Sequence, residues 1–314
     1  MPTKLLAGLS LAFALICVAY MTVDAKAGWD FILPFRGTKL LALVVVGVAV
    51  STATVLFQTI SGNQILTPSI MGFDALYVLI LTGSVYALGG LVVADLAPIK
   101  TFLITGSMMV VVSLLLFGSL LLDNRQDLFR MILTGVILAT LFRSLTSFLQ
   151  RIVDPNEFAF IQVASYARFN DLSIDTLAIA APLTALAVVS AWSMRFRLDV
   201  LMLGRNISIG LGENPHRGYL VTLLLVAVLV SVSTALVGPV AFLGLLVVSL
   251  ARFVLPSPYH SHLLPVAALI SAITLVGGQL LMERVFRLVT PLSVVIDLVG
   301  GLVFLTLILK SLRR

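Results

Sequence analysis

Leu40–Ile60 reads LLALVVVGVAVSTATVLFQTI, an unbroken stretch without a charged residue. At about 1.5 Å of rise per residue, a helix of this length covers roughly 30 Å, the thickness of a bilayer's hydrocarbon core. Nine further apolar runs flank it: Leu5–Val23, Ile70–Val93, Thr101–Leu122, Leu128–Leu149, Thr176–Met194, Leu220–Val237, Val240–Val254, Leu263–Leu281 and Leu292–Leu312. The division at Gly238-Pro239 is the weakest. The apolar stretch there is too long for one span, and Gly-Pro is a natural helix break. The second piece is short for a full crossing and is expected to start inside the membrane. The longest polar connection runs from Gln150 to Asp175. The expected fold is therefore an all-α polytopic membrane protein with about ten transmembrane helices, a single membrane-spanning domain over residues 1–314.

Composition agrees with that reading. Of the 314 residues, 60% are hydrophobic and 11% charged, with a mean hydropathy of +1.15. Soluble domains carry about 25% charged residues, so this chain cannot cover its own surface against water. A soluble enzyme, a disordered regulator and a nucleic-acid-binding domain are excluded. The pI near 9.8 belongs to loop lysines and arginines. With both termini inside, the cytoplasmic segments hold eleven of the 20 basic residues against four of the 14 acidic ones, as the positive-inside rule requires. The first run is read as a retained helix, because a signal peptide would want more than Lys4 ahead of it.

The residues carry no visible machinery for chemistry. No serine–histidine–carboxylate set, paired-carboxylate constellation or phosphate-binding glycine loop occurs. Cys17 is the single cysteine, and His216, His260 and His262 lie in polar connections without metal-ligand spacing. No catalytic residue, metal or cofactor is expected in this chain. Active transport would draw its energy from another subunit or from an ion gradient. Asp74, Arg143 and Asp297 fall inside spans; they fit an ion-coupled transporter's relay, or interfacial and paired structural charges.

Two stretches stand out. Gln58, Thr59, Ser61, Asn63 and Gln64 close the second span and run into Thr67-Pro68; in hydrocarbon such groups must face other helices or water. Arg195–Tyr219, RFRLDVLMLGRNISIGLGENPHRGY, holds apolar pieces too short to span, punctuated by Gly204, Gly210, Gly212 and Gly218. It suits one or two short helices at the cytoplasmic surface that offer an apolar face to a partner. Gly47, Ser51, Ala53, Gly277, Gly278, Gly300 and Gly301 would let helix backbones approach closely.

At this point the chain resembles the FecCD-type permeases, the membrane subunits of ABC importers for iron–siderophore, haem and cobalamin complexes. Gly47 through Gln58, Asn63 and Pro68 to Gly72 is similar to the family's G-x(n)-Q-x4-N-P-L-x-x-P-x-x-[LM]-G signature. Gln64 stands where a proline is usual, and Thr54 where a glycine is usual. The wording from Phe57 to Tyr77 resembles the branch serving catecholate-type siderophores. Leu203–Glu213, LGRNISIGLGE, resembles the loop that docks in the ATPase cleft. VGPVAFLGLLVVSLAR (Val237–Arg252) is similar to G-P-I-x-F-V-G-L-V-x-P-H-x-A-R, with Val248 and Ser249 replacing Pro-His. PLSVVIDLVGG (Pro291–Gly301) resembles the start of the family's last helix.

The resemblance implies a permease that translocates a ferric siderophore across the bacterial inner membrane. It implies partners as well: ATPase subunits that bind ATP and magnesium, a second permease subunit (the same or a homologous chain), and a periplasmic or lipoprotein siderophore-binding protein. Gln58, Thr59, Asn63, Pro68 and Gly72 are expected to line the pathway. Leu203, Gly204, Arg205, Leu211, Gly212 and Glu213 are expected to couple to the ATPase. Arg36 and Lys39, with Arg284 or Arg287, are expected to dock the binding protein. The alternatives are a haem or cobalamin permease of the same fold, or an ion-coupled secondary transporter.

Overall fold

The computed structural model describes residues 2–23, 28–122, 128–169, 172–255, 257–286 and 291–312, and every regular element among them is a helix. In order these are α1 (Pro2–Thr22), α2 (Trp29–Ser61), α3 (Phe73–Leu88), α4 (Gly90–Asp95), α5 (Pro98–Leu122), α6 (Leu128–Gln150), α7 (Pro155–Ala164), α8 (Ile174–Ser193), α9 (Arg195–Leu201), α10 (Arg205–Gly210), α11 (Pro215–Val237), α12 (Leu243–Val254), α13 (His260–Arg284) and α14 (Leu292–Leu312). Each of the ten apolar runs is helical over most of its length, Ile70–Val93 as two helices. Seven of the described helices are long and apolar enough to cross a membrane; α3, α12 and the described part of α14 are shorter apolar helices.

The 33-residue α2 is the axis of the subunit. It packs along α11 and α13 and also meets α8 and α12. Its small residues make this approach possible. A Cβ on Gly47 would sit 3.1 Å from Ser271 Oγ and 3.3 Å from the Ala272 backbone. Thr54, standing where the related signature has glycine, packs against Gly244 of α12, where any side chain would strike its hydroxyl. The space that α2 lacks at this crossing is supplied by α12. Gly278 and Gly300 likewise admit Leu292 and Phe242.

The Gly238-Pro239 break is real. Gly238, at φ 100°, ends α11, and an added Cβ there would meet the backbone of Tyr166 and Ala167 at 3.0 Å. Twelve-residue α12 then begins at Leu243, a length of roughly 18 Å that crosses about half a bilayer core. Its N-terminus is capped from α14, where Asp297 Oδ1 accepts the Phe242 amide at 3.1 Å.

Two expectations need correction. Ile70–Val93 is not one span: Gly89, at φ 87°, stops α3, and the short α4 begins after it. Glu157 Oε1 accepts the Gly90 amide at 2.7 Å and so fixes the start of α4. The other concerns the polar connection Gln150–Asp175, for which no element was expected and which contains α7. Asp154 caps that helix by accepting the Asn156 amide at 2.9 Å, and Pro155 takes the first helical position. Asp-Pro is a helix-start signal.

Candidate functional site

The segment from Arg195 to Tyr219 folds as two short helices, α9 and α10, between α8 and α11. Gly204 (φ 93°) and Gly212 (φ 81°) make the turns on either side of α10, in a conformation that favours glycine. The inner side is held firmly. Leu198, Leu201 and Ser208 are buried, and the Ser208 hydroxyl lies 2.9 Å from Val200 O and 2.8 Å from Gly204 O. The Arg197 guanidinium holds the Glu213 carboxylate at 2.9 Å. Glu213 is therefore a strut inside the hairpin rather than a free rim contact. The outer side is different in kind: Leu203, Ile207, Ile209 and Leu211 are each half exposed or more. Arg205 is exposed beside them. A rigid hairpin thus presents an apolar face beyond the helical body.

Beneath it lies a buried polar network. His260, the first residue of α13, is fully buried. Its Nδ1 lies 2.6 Å from Asp199 Oδ1, which also accepts the His260 amide at 2.8 Å. An ionised carboxylate can only accept, so Nδ1 carries a proton. Nε2 lies 2.7 Å from Thr59 Oγ1, whose hydroxyl is also 2.8 Å from Val55 O. One residue before Thr59, Gln58 Oε1 accepts from Arg252 Nη2 at 3.2 Å, and Gln58 Nε2 donates to Gln64 O at 2.5 Å. This chain of contacts joins α9 of the hairpin, the end of α2, the end of α12 and the start of α13.

The expected pathway residues accordingly divide. Gln58 and Thr59 are only 3% exposed. Their polar groups are satisfied inside the subunit, and within this chain they line no open surface. Asn63 is half-buried, and its Oδ1 accepts the Ile65 amide at 2.9 Å in a tight turn. Pro68 is buried against a small void of about 20 Å³ between α2, α3 and α11. Gly72, at φ 104°, starts α3, where a Cβ would press on Ala139 of α6 at 3.0 Å. The larger opening is elsewhere: a cleft of about 530 Å³ bounded by α3, α6, α7 and the turn ahead of α12. Asp74 and Arg143, two of the three charges that the sequence places inside spans, line it. Asp297, the third, is the cap of α12 behind it.

Comparison with known proteins bears on this arrangement directly. The family model described as the FecCD transport family matches residues 5–310. The chain belongs to the FecCD transport family. Among curated FecCD relatives, the petrobactin import system permease protein YclO of Bacillus subtilis (strain 168) is 41% identical over 311 residues, 99% of this chain and 98% of the relative. The petrobactin import system permease protein FatC of Bacillus anthracis is 33% identical over 276 residues, covering 88% of this chain and 78% of the relative. The fold matches a solved metal-chelate type ABC transporter in an inward-facing conformation, with a TM-score of 0.82 over 99% of this chain and 100% of that one, at 22% identity.

Seen in the FecCD chain, the Gln58–Arg252 contact joins the glutamine of one signature stretch to the closing arginine of another. The Thr59–His260–Asp199 contacts extend it to the hairpin. Neither His260 nor Asp199 carries a local signal. Asp199 is 61 residues from His260, and Thr59 is 201 residues away.

At the opposite end of the bundle, the expected docking pair is engaged internally. Lys39 is buried and donates to Glu283 Oε1 at 2.8 Å, an oxygen that also accepts from Gln279 at 2.8 Å and Tyr20 at 3.3 Å. Arg36 Nη1 lies 3.0–3.1 Å from the carbonyls of Tyr20, Met21 and Val23, and so caps the end of α1. A cation suits the negative end of a helix dipole. Both side chains thus tie α1, α2 and α13 together. Arg284 is half-buried at the end of α13, and Arg287 lies outside the described residues.

Proposed function

We propose that this chain is the permease subunit of an ATP-driven importer that carries a ferric siderophore across the bacterial cytoplasmic membrane. The observation that carries this reading is the hairpin at residues 195–219. Four large aliphatic side chains stand in the open on a scaffold braced by Arg197–Glu213 and by Ser208. Leaving an aliphatic side chain of this size in water forgoes roughly 1.5–3 kcal/mol relative to burying it, so such a face is built for a partner. The sequence has no phosphate-binding loop of its own, and an ATPase subunit that seats this face would supply the energy. Gly204 and Gly212 set the angle at which it is presented, and Arg205 flanks it.

The petrobactin import systems named for two relatives support a siderophore as the cargo, and a catecholate or mixed-donor chelate is preferred. A second permease subunit would complete the pathway, and a siderophore-binding protein would deliver the chelate at the end that carries Arg284. ATP and magnesium would bind the partner ATPase. The test is Leu211→Asp, which puts a charge on the exposed face without touching the buried side of the hairpin. ATPase copurification and iron uptake are expected to fall together by at least tenfold, since an unpaired charge in a closed interface costs several kcal/mol. Unchanged copurification and uptake of radiolabelled iron from a catecholate chelate would overturn the coupling role.

A further inference from the structure

The cleft between α3, α6 and α7 contains a pattern that the coupling machinery does not use. Arg143, Thr146, Ser147 and Gln150 of α6 all line it. Their spacing is i, i+3, i+4, i+7, which places them on one face of the helix. The residues between them are Ser144, Leu145, Phe148 and Leu149. A polar stripe headed by a guanidinium, within the last two turns of a membrane-crossing helix, cannot face lipid without a cost of a few kcal/mol. Here it faces a cavity of about 530 Å³.

The charges around this cleft are unequal. Asp297 is engaged with the Phe242 amide at the start of α12. Asp74, at the start of α3, also lines the cleft, with Ser69 beside it. It is close enough to Arg143 to feel its charge. Among the described residues, however, no carboxylate oxygen lies within the 4.0 Å of an ion pair with Arg143. Arg143 is exposed to the cavity. The cleft therefore presents one cation, surrounded by hydroxyls and by the amides of Gln150 and Gln162, with an acidic group set back from it.

We infer that the α6 stripe is a contact site for the cargo in transit, with Arg143 selecting an anionic, oxygen-rich ferric chelate. This rests on the siderophore-permease reading and names the chemistry that the pathway accepts. A guanidinium forks onto carboxylate or catecholate oxygens in a bidentate pair, and the amides of Gln150 and Gln162 with the Ser147 hydroxyl match the remaining oxygens. Thr146 and Ser165 donate to their own helices' carbonyls. Asp74 keeps the site from becoming a trap. It competes for Arg143 when the chelate leaves, and a pathway must hold its cargo weakly enough to release it.

The experiment uses the complete transporter with its ATPase and binding protein in proteoliposomes. Cys17→Ser removes the native thiol, and Ser147→Cys places a reporter one turn from Arg143. Two methanethiosulfonate reagents of similar size, one sulfonate and one quaternary ammonium, are compared. With each rate divided by that of the same reagent with a free thiol in solution, the anionic reagent is expected to react roughly tenfold faster than the cationic one. Arg143→Gln should abolish or reverse that ratio while Arg143→Lys keeps it. Binding protein loaded with a ferric catecholate, added with ATP, should slow the labelling. Equal rates for both reagents with Arg143 present, or a ratio indifferent to Arg143→Gln, would overturn the anion site. Labelling that ignores the loaded binding protein would overturn its place on the cargo's route. Failure of the siderophore reading has a separate signature: the unmodified transporter would import no iron chelate, whatever the reagent ratio.

Discussion

Replacing His260 with alanine tests whether the hairpin and the long helix α2 move as one body. The imidazole is fully buried. It bridges Asp199 on the hairpin side, at 2.6 Å, to Thr59 near the end of α2, at 2.7 Å. A hydrogen bond to a charged partner contributes about 1.5–3 kcal/mol and a neutral one about 1 kcal/mol. Removing both leaves Asp199 with the backbone amide alone and opens a ring-sized hole. The expected cost is about 3–4 kcal/mol. That exceeds a hundredfold change in how often the hairpin is docked beneath α2 and α13. Because Arg197–Glu213 and the exposed leucines are untouched, the ATPase subunit should still bind and hydrolyse ATP. The assay is iron imported per ATP hydrolysed in proteoliposomes, together with thermal stability of the purified complex. His260→Ala should lower the ratio at least tenfold while copurification of the ATPase persists. Thr59→Val, which keeps shape and removes one bond, should lower it less. A double-mutant cycle between Asp199→Asn and His260→Ala should return a coupling energy above about 1 kcal/mol. An import-to-hydrolysis ratio and a Tm both unchanged in His260→Ala would refute the strut.

Glu283→Gln leaves Lys39 buried opposite a neutral group, and breaking a buried pair in this way costs about 3–5 kcal/mol. The detergent-solubilised subunit should lose thermal stability by several degrees, and a Lys39→Met, Glu283→Leu pair should recover most of it. If Lys39→Met instead left stability intact and altered only the salt dependence of binding-protein capture, Lys39 would return to a docking role. Gly244→Ala should destabilise the α2–α12 crossing by about 1–3 kcal/mol through overpacking against Thr54. The second change Thr54→Gly should rescue folded yield, and failure of that rescue would disprove the compensation between the two helices.

The short helices show where local signals were strong enough to read. Gly238-Pro239 marked the break ahead of α12 because proline cannot extend a helix and glycine tolerates φ 100°. A signal of the same kind stands at Asp154-Pro155, a capping carboxylate followed by an N-terminal proline, although no helix was expected there. In the apolar run Ile70–Val93 the only warning was Gly89-Gly90, and hydropathy continued straight across it. The group that enforces that break, Glu157, comes from another helix.

Composition and the ten apolar runs determined by themselves that this is a multi-pass helical membrane protein. The ordered motifs from Gly47 to Gly301 determined its family resemblance, and the short apolar pieces between Arg195 and Tyr219 determined the surface hairpin. These are local properties: a bilayer tests each segment for length and hydropathy, and a glycine turn acts on its own neighbours. What each polar group does was decided only by the tertiary structure. Gln58 meets Arg252 across 194 residues and Thr59 meets His260 across 201. Lys39 meets Glu283 across 244. In an apolar bundle a polar side chain must find its partner among whichever helices pack against it. The packing therefore made Lys39 and Thr59 internal ties and left Arg143 facing the open cleft.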